Sequence, residues 1–166
     1  MGTPTTPLRK RRPIALPAAN WLALDQQLCF ALYSSSLAMT KLYKPLLEPL
    51  GLTYPQYLVM LVLWERDGLT VSDLGQRLTL DSGTLTPLLK RLQIAGLLAR
   101  QRDSEDERRV LVQLTPAGRA LKKLAAKVPP QVACAAACSL DELATLTARL
   151  KALRDEIIEF SSRAAA

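Results

Sequence analysis

The feature that most constrains this 166-residue sequence is a pair of short amphipathic segments separated by only a few residues. The first, residues 71–78, carries its apolar side chains on one helical face and follows Thr70, which together with Asp73 forms a capping-box-like signal. The second is predicted to begin at Asp81 or Ser82 and to end at Gly96. Its apolar stripe at helical spacing consists of Leu85, Leu88, Leu89 and Leu92. The pattern predicts two helices joined by a tight turn.

A predicted β-hairpin follows this pair of helices. Residues 97–102 and 110–114 are strand-like and flank the charged stretch 103–109, and residues 69–70 allow one more very short strand. The fold class is therefore predicted to be mainly α with a small β-hairpin wing, which is the winged helix-turn-helix arrangement.

Longer helical segments flank this unit. A helix is predicted from Asn20, a possible N-cap, to about Tyr43, because Leu24, Leu28 and Leu32 repeat at four-residue spacing before Pro45 breaks the pattern. Thr53 is predicted to cap a second helix that reaches residue 65 or 66. Helices are also predicted from Pro116 to the Pro129–Pro130 pair and from about Ser139 to about Phe160.

The predicted organisation has four parts: a flexible basic arm over 1–19, an N-terminal dimerisation and sensing helix over 20–50, a winged helix-turn-helix domain over 51–115, and C-terminal dimerisation helices over 116–166. Long apolar terminal helices need a surface against which to bury, and a second copy of the chain is the simplest one. We therefore expect a homodimer.

Composition excludes several kinds of site. With three cysteines and no histidine, the chain cannot form a His-based catalytic site and has too few soft ligands for a structural zinc site. We expect no metal and no cofactor. The longest apolar run, residues 58–64, is too short to cross a bilayer, and no signal peptide follows the basic N-terminus, so we expect a cytoplasmic protein without a membrane partner.

The charge favours a polyanionic partner but does not identify it. The net charge is +7, yet four of these charges lie in residues 9–12, and residues 71–109 hold seven basic and six acidic side chains. The basic arm alone fits DNA, RNA or anionic lipid, so a nonspecific nucleic-acid binder remains an alternative. The placement of the charges, rather than their sum, must identify the partner.

A DNA-contacting face is predicted opposite the leucine stripe, because hydroxyls and long cations contact phosphates and base edges. The candidates on the second helix are Ser82, Thr84, Thr86, Pro87, Lys90 and Arg91. In the wing, Asp106 is placed to hold Arg108 extended for insertion into a minor groove. The alternatives are a solvated helix face and an ordinary charged turn.

A second constellation surrounds one cysteine. Cys29 and Tyr33 are four residues apart on the predicted first helix, Tyr43 lies near its end, and Tyr54 begins the next helix. Phenolic donors stabilise a thiolate, which is the reactive form of cysteine. The alternative is that Cys29 is a small apolar filler and that the tyrosines only pack.

The residues quoted above resemble a known family. The sequence resembles MarR-type repressors over roughly residues 20 to 160. Four segments carry the resemblance: Leu74-Gly75-Gln76-Arg77-Leu78, Asp81 to Leu92, Gly96-Leu97, and the D-x-x-D-x-R wing pattern from Asp103 to Arg108. The resemblance implies a homodimer that binds a pseudo-palindromic double-stranded operator. Cys29 with Tyr33, Tyr43 and Tyr54 further resembles the organic hydroperoxide regulators of that family.

That closer resemblance implies a redox switch and no enzymatic turnover. The cysteine matching Cys29 reacts with an organic hydroperoxide, the tyrosines matching Tyr43 and Tyr54 hydrogen-bond its sulfur, and the one matching Tyr33 approaches from the partner subunit. In the two-cysteine subgroup a C-terminal cysteine of the other subunit then forms a disulfide. Cys134 is favoured for this role, while Cys138 is a second candidate or part of a buried small-residue face. A repressor released by a small aromatic ligand and a thiol peroxidase remain alternatives.

Overall fold

The computed structural model describes residues 22–102, 106, 109–136 and 138–164. The chain divides into two units, Met1–Ala38 and Met39–Ala166. The predicted basic arm over 1–19, the proposed cap Asn20 and the wing residue Arg108 lie outside the described residues. Within the described ranges, no single helix is long and apolar enough to span a bilayer. Only the bent pair Leu28–Leu50 and Tyr54–Glu65, taken together, has that length and apolar character.

Ten regular elements follow one another along the described chain. In order they are α1 (Leu28–Leu47), α2 (Tyr54–Glu65), β1 (Leu69–Thr70), α3 (Val71–Leu78), α4 (Ser82–Ile94), β2 (Leu98–Arg102), β3 (Val110–Leu114), α5 (Pro116–Ala125), α6 (Val128–Ala135) and α7 (Leu140–Ala164). Short 3₁₀ turns lie at Leu24–Gln26 and Glu48–Leu50. The predicted mainly α fold with a β-hairpin is confirmed.

The strands form one small antiparallel sheet in the order β1-β3-β2. Leu98 pairs with Leu114 and Arg102 with Val110, which places the charged connection at the far end of the hairpin. On the other edge of β3, Leu69 pairs with Val112. The two-residue strand β1 therefore anchors the hairpin to the start of α3.

The core of the second unit lies between α2, α3, α4 and the sheet. Leu85, Leu89 and Leu92 are buried and Leu88 is half-buried, so the predicted inward stripe of α4 is confirmed. The most deeply buried side chains from the other elements are Leu47, Tyr57, Val59, Met60, Leu63, Leu74, Leu98 and Val112. Burying a side chain of this size contributes about 1.5–3 kcal/mol relative to leaving it exposed.

Local capping signals define several helix starts. Thr53 and Gln56 form a capping box at α2, and the predicted pair Thr70–Asp73 does so at α3, where the Asp73 N–H donates to Thr70 Oγ1 over 3.1 Å. At α7 the Glu142 carboxylate accepts hydrogen bonds from the Ser139 N–H and hydroxyl. These reciprocal bonds satisfy donors that every helix N-terminus leaves open.

Three predicted boundaries are wrong. The first helix begins at Leu28 rather than Asn20, and it continues through Pro45 to Leu47. Pro45 removes only one hydrogen bond in the last turn, while Leu47 behind it is fully buried, so packing outweighs the lost bond. The predicted break near Pro129–Pro130 is confirmed, because α5 ends at Ala125. The two prolines themselves lie in the first turn of the unpredicted helix α6, where proline is tolerated. The last helix reaches Ala164 rather than Phe160.

Replacing Thr70 by alanine is expected to destabilise the protein by about 1 kcal/mol, because the cap of α3 is lost. The measurement is the midpoint of urea unfolding. Thr86→Ala is a matched control, since its hydroxyl bonds the Ser82 carbonyl on an exposed helix surface and caps nothing. Equal midpoints for the two variants would contradict the capping role of Thr70.

Candidate nucleic-acid interface and thiol site

The helix pair α3 and α4 presents a polar face to solvent. The turn between them is tight: Thr79 adopts a left-handed conformation with φ of 55°, and the Leu80 N–H donates to the Gly75 carbonyl over 2.9 Å. A Cβ on Gly75 would lie 2.9 Å from the Leu80 carbonyl oxygen, so a residue without a side chain suits this position. The turn fixes the direction in which α4 leaves the core.

All six predicted residues of α4 lie on its exposed side. They are Ser82, Thr84, Thr86, Pro87, Lys90 and Arg91. The structure thus brings them together on one face, opposite the buried leucines, as the spacing predicted. Pro87 is accommodated inside the helix.

Two of the hydroxyls on this face are already engaged within the protein. The Thr84 hydroxyl donates to Asp81 Oδ2 over 2.9 Å, and the Thr86 hydroxyl donates to the Ser82 carbonyl over 2.7 Å. Asp81, the N-cap of α4, also accepts from the Thr84 N–H, and these bonds lower the pKa of its carboxyl below the ordinary value. Asp81 therefore stays ionised at neutral pH and orders the first turn of the helix.

The wing is described only in part. Asp106 is exposed, and its carbonyl accepts a hydrogen bond from the Arg109 N–H over 2.9 Å. The predicted pairing of Asp106 with Arg108 falls on a residue outside the described ranges and stays a prediction.

Asp67 was missed by the sequence analysis. Its Oδ1 accepts hydrogen bonds from the N–H groups of Gly68 and Leu114, and its Oδ2 accepts one from Arg119 Nη1 over 2.8 Å. One carboxylate thus ties the α2–β1 turn, the end of β3 and helix α5. Sequence reasoning had no signal beyond the Asp67-Gly68 turn, because the partners are 47 and 52 residues away.

In the first unit, Cys29 and Tyr33 lie one helical turn apart on α1. Cys29 is exposed, and the Tyr33 side chain is 62% exposed in the single chain. In the single chain Cys29 is therefore not buried, and its role as a sensor rather than a filler stays a prediction. An exposed thiol is open to an oxidant from solution.

In the second unit, three tyrosines form a cluster. The ring centroid of Tyr43 lies 4.7 Å from that of Tyr54 and 5.8 Å from that of Tyr57. Burial raises the pKa of all three phenols, and the neighbouring rings add to the shift at Tyr43. The predicted pair Tyr43 and Tyr54 is thus brought together, whereas Tyr57 was missed, although its place three residues after Tyr54 on α2 was a signal. Phenols with raised pKa values keep their protons and remain hydrogen-bond donors.

The raised tyrosine pKa values predict a loss of stability in alkali. In the folded state the neutral form is favoured, so this contribution is complete below pH 10 and declines as the pH rises through the folded pKa values. Melting temperatures between pH 9 and 11 are expected to fall less steeply for Tyr43→Phe than for the unaltered protein. A parallel pair of curves would show that Tyr43 makes no such contribution.

Both C-terminal cysteines are exposed. Cys134 lies near the end of α6, and Cys138 follows outside that helix, with its thiol 3.2 Å from the Ala136 carbonyl oxygen. The alternative of a buried small-residue face for Cys138 is wrong for the described chain, because α6 ends before an i, i+4 helical face includes it. Among the described residues no cluster of His, Cys, Asp or Glu side chains is arranged to hold a metal ion.

The arrangement defines a winged helix-turn-helix protein with an exposed α4 and three exposed cysteines among the described residues. A family model described as transcriptional regulator SarA/Rot matches residues 41–124. The organic hydroperoxide resistance transcriptional regulator of Bacillus subtilis (strain 168) is 48% identical over 136 residues, which cover 82% of this chain and 92% of that protein. The HTH-type transcriptional regulator TtmR of Methylorubrum extorquens (strain PA1) is 50% identical over 135 residues, which cover 81% of this chain and 69% of TtmR.

Solved structures agree with these relatives. Reduced AbfR bound to DNA is 34% identical with a TM-score of 0.67, covering 81% of this chain and 94% of AbfR, a protein of Staphylococcus epidermidis. The disulfide form of AbfR is also similar, at 35% identity and a TM-score of 0.59, and the match covers 78% of this chain and 91% of AbfR. Wild-type MarR from E. coli is 28% identical with a TM-score of 0.63, and the match covers 76% of this chain and 96% of MarR. The chain belongs to the MarR family of winged-helix transcriptional regulators, within the branch of the organic hydroperoxide resistance regulators.

Proposed function

We propose that this chain is a redox-sensing transcriptional repressor of the cytoplasm, which binds a pseudo-palindromic operator when reduced and leaves it when an organic hydroperoxide oxidises Cys29. The observation that carries the proposal is an exposed thiol on α1 in a chain 48% identical to an organic hydroperoxide resistance regulator. The likeness to AbfR, solved both reduced on DNA and with a disulfide, supports the same switch.

The proposed operator contact uses the exposed side of α4. Lys90 and Arg91 supply cations, Ser82 lies in the first turn, where backbone N–H groups attract a phosphate, and the wing with Asp106 and Arg108 reaches the adjacent minor groove. Binding to a pseudo-palindromic operator requires two such recognition helices about one DNA turn apart, and a homodimer provides them.

The proposed dimer is held by the terminal helices. On α7 the apolar side chains of Leu146, Ile157, Ile158 and Phe160 are 51–75% exposed in the single chain. Leu28, Leu32 and Leu37 of α1 are exposed as well. So many exposed apolar side chains on the terminal helices support burial against a second copy.

The proposed chemistry begins with the Cys29 thiolate. It attacks one peroxide oxygen, the O–O bond breaks, the alcohol leaves, and Cys29 becomes a sulfenic acid. The phenols of Tyr33, Tyr43 and Tyr54 are the proposed donors that stabilise the thiolate. Cys134 of the second copy then attacks the sulfenyl sulfur, and the hydroxyl leaves as water, giving an intersubunit disulfide.

The decisive experiment compares the unaltered protein with Cys29→Ser in an operator gel shift. Both are expected to bind when reduced, because residue 29 lies far along the chain from α4. Excess organic hydroperoxide is expected to release the unaltered protein and to leave Cys29→Ser bound. Release of the serine variant would show that Cys29 is not the sensor.

Cys134→Ser separates sensing from resolution. Its Cys29 is expected to stop at the sulfenic acid, which dimedone labels. A disulfide between Cys29 and Cys138 in this variant would instead assign the resolving role to Cys138. Sustained thiol-dependent peroxide turnover by the unaltered protein, rather than a fixed number of equivalents consumed, would indicate a peroxidase.

A further inference from the structure

A row of aromatic rings extends from Tyr43 into the core of the second unit. The ring centroid of Tyr57 lies 5.8 Å from that of Tyr43 and 6.2 Å from that of Trp64, which it meets edge-on at an interplanar angle of 68°. Both separations fall within the range of about 4.5–7 Å over which aromatic rings attract one another. Tyr57 and Trp64 both lie on α2, so the row connects the end of α1 to that helix.

The inner end of this row is fixed. Trp64 Nε1 donates a hydrogen bond to the Gly118 carbonyl over 2.9 Å, and the Trp64 carbonyl accepts one from Lys122 Nζ over 2.8 Å. Tyr57 is only 2% exposed, and a side chain in a close-packed core is held in one rotamer. Tyr57 therefore presents a rigid surface to the ring that packs against it.

The outer end of the row is less constrained. Tyr43 and Tyr54 are half-buried, and their ring centroids lie 4.7 Å apart. A half-buried phenol turns about its side-chain bonds unless its neighbours hold it in one rotamer. Tyr43 packs against Tyr54 and Tyr57, and of these two rings only that of Tyr57 is buried. The orientation of the Tyr43 phenol therefore depends on Tyr57.

We propose that Tyr57 is a positioning residue, whose buried ring holds Tyr43 in the orientation from which the Tyr43 phenol donates to the Cys29 sulfur. The inference rests on the proposed function, in which Tyr43 stabilises the Cys29 thiolate. Tyr57 contacts neither the sulfur nor the peroxide in this scheme and acts only through Tyr43. Because the contact is made by the two rings, position 57 requires an aromatic side chain but no hydroxyl.

The test follows the alkylation of Cys29 by iodoacetamide in the reduced full-length protein as a function of pH, from the mass of the peptide that contains Cys29. Only the thiolate reacts, so the loss of one phenolic donor is expected to move this profile to higher pH, by about one unit. Tyr43→Phe is expected to show that shift. Tyr57→Leu is expected to show nearly the same shift, whereas Tyr57→Phe is expected to keep the profile of the unaltered protein.

A double variant distinguishes an indirect effect from a direct one. If Tyr57 acts through Tyr43, adding Tyr57→Leu to Tyr43→Phe moves the alkylation profile no further. Val59→Ala is the control for lost stability, because it opens a void at a fully buried position of α2 without removing a ring, and its profile is expected to stay unshifted. Tyr57→Met, whose side chain adapts to irregular gaps, replaces Tyr57→Leu if the leucine variant does not fold.

Several outcomes overturn the inference, and they are distinguishable from failure of the proposed function. An unshifted Tyr57→Leu profile beside a shifted Tyr43→Phe profile leaves Tyr43 as a donor and refutes the positioning role. A shift in Tyr57→Phe would assign the effect to the hydroxyl, a further shift in the double variant would show that Tyr57 acts by itself, and a shift in Val59→Ala would show that lost stability is sufficient. An unshifted Tyr43→Phe profile would contradict the donor role in the proposed function, and the inference would fail with it.

Discussion

Replacing Gly118 by alanine is expected to destabilise the protein by roughly 3 kcal/mol and to lower its melting temperature by roughly 10 °C. A Cβ at this position would lie 2.0 Å from the Leu97 carbonyl oxygen and 3.2 Å from Leu114 Cδ2. That carbonyl cannot move away cheaply, because it accepts a hydrogen bond from the Thr115 N–H over 3.1 Å. The Gly118 carbonyl in turn accepts from the buried Trp64 Nε1 over 2.9 Å.

The sign of this effect is itself diagnostic. On helix propensity alone, Gly→Ala inside α5 would stabilise the protein by about 1 kcal/mol. Ala120→Gly, at an exposed position of the same helix, is the matched control and is expected to cost about that amount. Thermal and urea unfolding of both variants measure the difference. A Gly118→Ala protein as stable as the parent would mean that α5 shifts away from the hairpin at no cost.

The second large effect is expected on operator affinity. Arg91→Ala should weaken binding by about 1–3 kcal/mol, or roughly 5–150-fold, if Arg91 contacts a base edge. Lys90→Ala should lower affinity for every sequence and reduce the slope of log affinity against log salt by about 1, as expected for one phosphate contact. Fluorescence anisotropy at several salt concentrations measures both.

Lys123→Ala supplies the control for this experiment. It removes one positive charge from an exposed position on α5, outside the proposed interface, and leaves α4 untouched. Its affinity and salt slope are expected to stay close to those of the parent. Equal losses of operator affinity for Lys90→Ala and Lys123→Ala would indicate a general charge effect and would contradict the role of α4 as the DNA-recognition helix.

How far the sequence predicts the fold depends on whether the signal is local. The start of α3 was predictable because Thr70 and Asp73 lie three residues apart, and the buried face of α4 because leucines repeat at helical spacing. Helix α6 was not predictable from the Pro129–Pro130 pair alone. Helix α5 ends at Ala125, before the pair, and the two prolines lie in the first turn of α6, where the burial of Val128 and Val132 in the core favours the second helix.

The same distinction applies to the site. The exposed face of α4 follows from periodicity, whereas the three-way contact of Asp67 and the close approach at Gly118 depend on partners far away in the sequence. The tyrosine cluster lies between these cases. Tyr43 and Tyr54 were predicted from the sequence as donors to the Cys29 thiolate, which stays a prediction, but the inward direction of Tyr57 depends on how α2 is rotated in the core.

The internal bonds of Thr84 and Thr86 constrain which bases α4 is suited to recognise. Both hydroxyl protons are directed to acceptors within the helix, at Asp81 Oδ2 and the Ser82 carbonyl. What these side chains offer to a major groove is therefore a lone pair and a methyl group, and the methyl group is complementary to the C5-methyl of thymine. On the proposed interface, half-sites in which thymines face these two threonines would be preferred over otherwise identical half-sites containing uracil.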